Sequence, residues 1–133
     1  MDLGLAGKSV VITGGASNIG RGIVLAYALE GANITIGDID QQQAEKVAVL
    51  ARAQGAKSVQ VIPTDVTDLE QVKAMFAAAV SKFGGVDVLV NNAGGAPFTD
   101  AATASPRFHE KIFALNLTAP FALSQMANKV MQV

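Results

Sequence analysis

Four short runs of largely apolar residues alternate with helix-forming segments, and this alternation constrains the fold more than any other feature of the chain. The runs, at 8–13, 33–38, 58–62 and 86–90, are rich in β-branched residues. Such runs are typical of strands buried on both faces of a parallel sheet. Each run is followed by a segment with helical periodicity. The sequence therefore predicts an α/β protein in which helices cover both faces of a parallel sheet.

Capping signals predict where the helices begin. Asp40 is followed three residues later by Gln43, and Thr67 by Glu70, which are the spacings of capping boxes. Ser105-Pro106 predicts the N-cap and first turn of a last helix that runs toward Val133, with a kink where Pro120 interrupts it. The predicted order is βαβαβαβ followed by a helix, which leaves the parallel sheet incomplete.

Composition excludes several classes of function. There is no cysteine, and the lone histidine, His109, has no second histidine or cysteine with which to build a metal site. A net charge of −1 over 133 residues provides no basic surface for nucleic acid. No segment has the pattern of a signal peptide or a membrane span. We therefore expect a cytoplasmic protein with no metal, no nucleic-acid partner and no membrane partner.

The stretch TGGASNIG, at 13–20, joins the first predicted strand to the first predicted helix. A glycine-rich turn at a helix start presents backbone N–H groups and the positive end of the helix dipole to a phosphate. Glycines allow the pyrophosphate to approach the backbone closely. A plain tight turn would use similar residues, so a purely structural interpretation stays open. A Walker phosphate loop is excluded because no Gly-Lys-Ser/Thr sequence follows.

Carboxylates end the second and third predicted strands. Asp38 lies 18 residues after Gly20, where it can accept hydrogen bonds from a ribose diol. Asp65 ends the third strand at the same sheet edge, where its carboxylate suits the exocyclic amine of adenine. Either residue could instead serve a turn or cap a helix. Adenosylmethionine-dependent methyltransferases share the strand-end acid, so they are a second class of enzyme that these residues would fit.

Taken together, the motifs resemble those of the classical short-chain dehydrogenases/reductases. The resemblance covers essentially all of the chain and rests on Thr13-Gly14-x-x-x-Asn18-Ile19-Gly20, Asp65-Val66, Asn91-Asn92-Ala93-Gly94 and Asn116-Leu117. It implies a Rossmann-like doubly wound parallel sheet, incomplete here. Residues 1–133 would then be the N-terminal dinucleotide-binding part of a single domain. The family's strand order would place strand 86–90 at the sheet edge.

The resemblance also implies roles for individual residues. The pyrophosphate and the nearby ribose would be surrounded by Gly14, Ser17, Asn18, Ile19 and Gly20. The adenosine ribose would lie against Asp38 and Ile39, and the adenine edge against Asp65 and Val66. The part of the cofactor that lies beyond the fourth strand would be lined by Asn92, Ala93 and Gly94. Asn116 would be the one member of the family's catalytic set within this chain.

Two features depart from the family's pattern. Asn18 stands where the family usually has glycine, but asparagine tolerates positive φ, so the turn should persist. The family's catalytic Tyr-x-x-x-Lys pair has no counterpart, because the only tyrosine is Tyr27 and the residue four positions later is Gly31. In the family, this pair and the catalytic serine normally lie downstream of residue 133. The chain therefore resembles the N-terminal portion of such an enzyme.

The sequence predicts an NAD-dependent oxidoreductase that interconverts a small alcohol and a carbonyl, represented by its cofactor-binding half. Asp38 followed by Ile39, with no arginine, favours NAD over NADP. We expect a homo-oligomer, since the family's counterpart of this chain's last helix often packs between subunits. The alternative is a non-catalytic dinucleotide-binding module or an inactive fragment.

Overall fold

The computed structural model describes residues 1–132 and contains one four-stranded parallel sheet with helices on both faces. Its strands are β1 (Ser9–Thr13), β2 (Asn33–Asp38), β3 (Ser58–Pro63) and β4 (Val88–Val90). Its α-helices are α1 (Asn18–Leu29), α2 (Gln41–Gln54), α3 (Leu69–Phe83), α4 (Pro106–Phe113) and α5 (Ala119–Met131). A π-helical segment, Ala114–Thr118, joins α4 to α5. The predicted Rossmann-like α/β fold is confirmed.

The strand order is β3-β2-β1-β4, and every pairing is parallel. After β3 the chain crosses back to place β4 on the other side of β1, so the direction of winding reverses at β1. In open α/β sheets, ligands bind in the crevice that this reversal creates outside the carboxyl ends of the strands. β4 lies at the edge of the sheet, as the sequence predicted.

Alternate residues of β1 and β2 face two separate apolar layers. Val10 and Ile12 point toward α1 and α2, whereas Val11 points toward α3 and α5, and all three are fully buried. Gly37 of β2 faces α3, where a Cβ would collide with the Sδ atom of Met75. The sheet is therefore covered by helices on both faces, which fixes the crevice at its carboxyl edge.

Side-chain caps begin three of the helices. Asp40 accepts a hydrogen bond from the Gln43 N–H at 3.0 Å, and Ser105 accepts one from the Phe108 N–H at 3.1 Å, so both N-caps are as predicted. The capping box at Asp40 is not completed, because the Asp40 N–H donates to Asp38 and not to the Gln43 side chain. The cap of α3 is Asp68 and not Thr67, so that prediction was wrong. The Asp68 carboxylate accepts from the N–H groups of both Glu70 and Gln71, while the Thr67 hydroxyl is used elsewhere.

The last helix differs from the prediction of a single helix kinked at Pro120. In the π-helical segment the Ala119 N–H donates to the carbonyl of Ala114, five residues earlier. The wider turn immediately precedes Pro120, whose ring nitrogen cannot donate a helical hydrogen bond. π-Helical turns of this kind are frequent at functional sites. None of the helices within residues 1–132 is long and apolar enough to span a lipid bilayer.

Candidate functional site

A cleft of about 640 Å³ lies at the carboxyl edge of the sheet. Its volume is in the range of small-molecule and cofactor sites. All twelve residues that the sequence assigned to cofactor binding line it, namely Gly14, Ser17, Asn18, Ile19, Gly20, Asp38, Ile39, Asp65, Val66, Asn92, Ala93 and Gly94. The sequence interpretation did not include six further lining residues, namely Gly37, Thr64, Thr67, Lys111, Ala114 and Leu115.

The start of α1 borders this cleft without a side-chain cap. Ser17 is the N-cap residue, but its side chain accepts no hydrogen bond from the helix, and the first turn carries no acidic residue. The starts of α2, α3 and α4 are each capped by a side chain. Because the first N–H groups of a helix have no intrahelical partner, those of α1 remain available to an anionic ligand.

Asn18 has a backbone conformation that few residues adopt. Its φ is 50°, and within residues 1–132 it is the one non-glycine residue with a positive φ. This conformation turns the chain from β1 into α1. The expectation that asparagine would preserve the turn is confirmed.

Two glycines of this turn are required by close packing, both within the turn and against the turn that follows β4. A Cβ on Gly20 would overlap the carbonyl oxygen of Gly14 and lie 2.6 Å from Nδ2 of Asn92. A Cβ on Gly14 would lie 2.9 Å from Cα of Ala93. The sequence interpretation attributed the glycines to the approach of a phosphate. In the structure, these two positions meet the turn that follows β4.

Thr13 and Asn92 hold the turn after β1 to the turn after β4. The Thr13 hydroxyl accepts from the N–H groups of Asn92 and Ala93 at 3.1 and 3.0 Å. In return, Nδ2 of Asn92 donates to the carbonyls of Thr13 and Gly14 at 3.1 and 3.0 Å. The sequence interpretation assigned Thr13 no role of its own, although a threonine at the end of a buried strand was the available signal. The pair fixes two walls of the cleft relative to each other.

Asp38 connects the end of β2 to the glycine-rich turn. Its Oδ2 accepts from the Ala16 N–H at 3.0 Å, and its Oδ1 accepts from the Asp40 N–H at 2.9 Å. Asp38 therefore has a structural role, although the cap of α2 is Asp40. A carboxylate oxygen can accept more than one hydrogen bond, so the half-buried Asp38 can also accept from a ligand in the cleft. The adjacent Ile39 side chain is exposed at the cleft rim.

Asp65 presents its two carboxylate oxygens differently. Oδ1 accepts from the Thr67 N–H at 2.9 Å and from the Thr67 hydroxyl at 2.6 Å. Oδ2 has no hydrogen-bond partner among the residues that the structure describes. The neighbouring Val66 is nearly buried and contributes an apolar wall. This corner of the cleft thus offers an acceptor beside an apolar surface.

The Asn116 side chain holds the loop that follows β4. Its Oδ1 accepts from the Gly95 N–H at 2.7 Å, and its Nδ2 donates to the carbonyls of Gly95 and Ile112 at 2.8 and 3.0 Å. Asn116 is not among the residues that line the cleft. Both N–H donors of the side-chain amide are engaged within the protein, so the side chain has a structural role in this loop.

The charges in the cleft are few. Asp38, Asp65 and Lys111 are its ionisable lining residues, and Lys111 forms no ion pair with the part of the chain that the structure covers. His109 is exposed on α4 and lies outside the lining. Residues 1–132 contain no group of three or more side chains arranged to hold a metal ion.

The chain matches the family model of the short chain dehydrogenases over residues 8–132. A short chain dehydrogenase/reductase of Colletotrichum higginsianum is 36% identical over 129 residues, which are 96% of this chain and 48% of that protein. A galactitol 2-dehydrogenase of Agrobacterium fabrum is 38% identical over 127 residues, again 96% of this chain and 48% of the relative.

A solved structure gives the same result. The crystal structure of a short-chain type dehydrogenase/reductase from Mycobacterium marinum superposes with a TM-score of 0.89 at 31% identity, over 96% of this chain and 51% of that one. The chain thus spans about half the length of these relatives. A family match over residues 8–132, together with the shared fold, shows that the chain belongs to the short chain dehydrogenase family.

Proposed function

We propose that this chain binds NAD in the cleft and forms the cofactor-binding part of an oxidoreductase that interconverts an alcohol and a carbonyl. One observation carries the proposal: the uncapped start of α1 and the strand-end carboxylates Asp38 and Asp65 line the same cleft. An anion site and two hydrogen-bond acceptors in one crevice match the phosphates, ribose and adenine of a dinucleotide. Family membership favours this function over the methyltransferase alternative.

The residues of the cleft fit successive parts of the cofactor. The first-turn N–H groups of α1, with Ser17 and Asn18, would hold the pyrophosphate, and Asp38 would accept from the adenosine ribose. Asp65 and Val66 would hold the adenine. Residues 92–94 would line the part of the cofactor that lies beyond the fourth strand. Bound there, NAD supplies the acceptor for the hydride of an alcohol. Asn116 would act through its carbonyl, because its side chain holds Gly95.

NAD is the proposed cofactor in preference to NADP. A 2′-phosphate would lie against the Asp38 carboxylate, and the only cation that lines the cleft within residues 1–132 is Lys111. Hydrogen bonds to charged groups contribute about 1.5–3 kcal/mol, which Asp38 would give to ribose hydroxyls but not to a phosphate. Calorimetric titration of the protein with NADH and with NADPH tests this preference. We expect NADH to bind at least tenfold more tightly, and equal or tighter binding of NADPH would refute it.

The whole enzyme's chemistry needs groups that this chain lacks. The family's Tyr-x-x-x-Lys pair has no counterpart in the 133 residues, and general acid–base catalysis contributes about 10²–10⁴-fold to a rate. We therefore propose that the chain alone binds cofactor without dehydrogenase activity. Substrate-dependent NADH formation by the purified chain would contradict this. The second candidate function, a non-catalytic dinucleotide-binding module, predicts the same inactivity even for a longer protein that contains the chain.

We further propose that the protein acts in the cytoplasm on a small molecule and assembles as a homo-oligomer. The support for assembly is the last helical region, where Phe113, Leu117 and Phe121 are spaced by four residues and are 60%, 52% and 66% exposed. A contiguous set of exposed large apolar side chains favours an interface between protein surfaces.

A further inference from the structure

The corner of the cleft that follows β3 contains a residue to which neither the sequence nor the proposed function gives a role. Thr67 lines the cleft, yet it does not cap α3, because Asp68 does so. Its hydroxyl and its N–H both donate to the same atom, Oδ1 of Asp65, at 2.6 and 2.9 Å. Two donors on one oxygen fix the rotation of a carboxylate that would otherwise turn freely about its last side-chain bond.

The backbone of Asp65 is fixed as well. Its N–H donates to Oε1 of Gln71 at 2.8 Å, and Nε2 of Gln71 donates to Oδ2 of Asp68 at 3.1 Å. Asp68 in turn accepts from the N–H groups that begin α3. The start of α3 therefore anchors the main chain of Asp65, while Thr67 anchors its side chain. The result is a carboxylate with one occupied oxygen and one oxygen, Oδ2, without a partner among residues 1–132.

We propose that Thr67 is a positioning residue for adenine recognition. By holding Oδ1 of Asp65, it leaves Oδ2 as the acceptor for the 6-amino group of the adenine, with the side chain of Val66 beside the ring. This inference rests on the proposed binding of NAD in the cleft. It adds to that proposal a basis for base specificity, because Thr67 and Asp65 together select an amino group over a carbonyl at position 6 of the purine.

The test compares NADH with its hypoxanthine analogue, which has a carbonyl oxygen in place of the 6-amino group. Both dinucleotides carry the same phosphates, riboses and nicotinamide, so the ratio of their dissociation constants reports on positions 1 and 6 of the purine, since hypoxanthine also carries a hydrogen on N1. The Asp65→Ala variant then assigns the part of the ratio that is due to Asp65. We expect the protein to bind NADH about tenfold more tightly than the analogue, since a charge-assisted hydrogen bond is replaced by two facing acceptors. Asp65→Ala should bring the ratio close to one.

Thr67→Val removes the hydroxyl and keeps the shape of the side chain. We expect it to lower the ratio to about threefold, and Thr67→Ser, which restores the hydroxyl, to return it to about tenfold. If Thr67→Val does not fold, Thr67→Ala serves for the same comparison. Thr103→Val is the matched control, because the hydroxyl of Thr103 donates to the main-chain carbonyl of Asp100 at 3.4 Å, outside the cleft. Its ratio should equal that of the unmodified protein.

The outcomes separate this inference from the proposed function. If the unmodified protein binds neither dinucleotide, both the proposed function and this inference are refuted. If the unmodified protein selects NADH but Thr67→Val selects it equally well, only the role of Thr67 is overturned. The same conclusion follows if Thr67→Val weakens both ligands by the same factor, since that result indicates a purely structural role in the turn.

Discussion

Gly20 and Gly22 lie two residues apart in α1 and have different surroundings. A Cβ on Gly20 would overlap the carbonyl oxygen of Gly14, whereas a Cβ on Gly22 would have no heavy atom within 4 Å. Gly20→Ala should therefore lower the free energy of unfolding by about 1–3 kcal/mol and weaken NADH binding, because the Gly14 carbonyl and the Asn92 side chain must both move. Gly22→Ala should raise the free energy of unfolding by about 0.5–1 kcal/mol, since alanine favours the helix. Urea unfolding of both variants measures this difference, and equal effects would contradict the packing described for the turns.

Asp38 and Asp40 provide a second matched pair at the scale of residues. Both are acidic, but only Asp38 lines the cleft. Asp38→Asn should raise the dissociation constant of NADH about tenfold and reduce the preference over NADPH, because a charged acceptor of the ribose diol is lost. Asp40→Asn removes the same charge and preserves the cap of α2, so its NADH affinity should be unchanged. Equal loss in the two variants would indicate a general charge effect and no specific contact.

At the scale of elements, apolar runs and periodicity were sufficient to predict all four strands and the helices between them. The prediction of the α3 cap failed, because two neighbouring side chains could each accept hydrogen bonds from the N–H groups at the start of that helix. Thr67 and Asp68 are both suitable caps, and in the structure Asp68 caps α3 while the Thr67 hydroxyl donates to Asp65. The π-helical segment was not predicted either. It contains Asn116, whose side chain contacts Gly95, 21 residues earlier.

Pro120, which follows the π-helical segment, leads to a prediction about the Asn116 carbonyl. Pro120 cannot donate to the carbonyl four residues earlier, which is that of Asn116. We expect this carbonyl to hold an ordered water molecule, and the family resemblance would give that water a place in proton transfer from a catalytic lysine. A crystal structure at high resolution would test this expectation. A main-chain N–H bonded to the Asn116 carbonyl, or a carbonyl sealed from water by side chains, would refute it.

At the scale of the whole molecule, an exposed sheet edge and an exposed helix face favour self-association. β4 pairs only with β1 within the described residues, and Phe113, Leu117 and Phe121 are largely exposed on the last helical region. We expect the average mass of the protein in light scattering to rise with concentration. Phe121→Lys should reduce that rise, because it places a charge on the apolar face.

Leu29→Lys is the control for this effect, since Leu29 is 68% exposed on α1, which covers the opposite face of the sheet. It should leave association unchanged. A protein that remains monomeric at high concentration would contradict the proposed assembly.

Much of the candidate site was predictable because the carboxyl ends of parallel strands converge at one edge. All twelve residues assigned from the motifs line the cleft. The residues that were missed act through contacts that no local pattern encodes. Thr13 is bonded to the turn after β4, Thr67 is bonded to Asp65, and Lys111 reaches the cleft from a helix that follows a long loop.

Every other proposal for this protein depends on the binding of NAD in the cleft at the carboxyl edge of the sheet. Amide chemical shifts recorded during a titration with NADH test this binding, because they report on every turn of the cleft at once. We predict saturable shifts concentrated in 14–20, 38–39, 65–67 and 92–94. The groove between α3 and α5, which includes Phe76 and Met126, should stay unchanged. Shifts confined to that groove, or no shifts at millimolar NADH, would contradict the account.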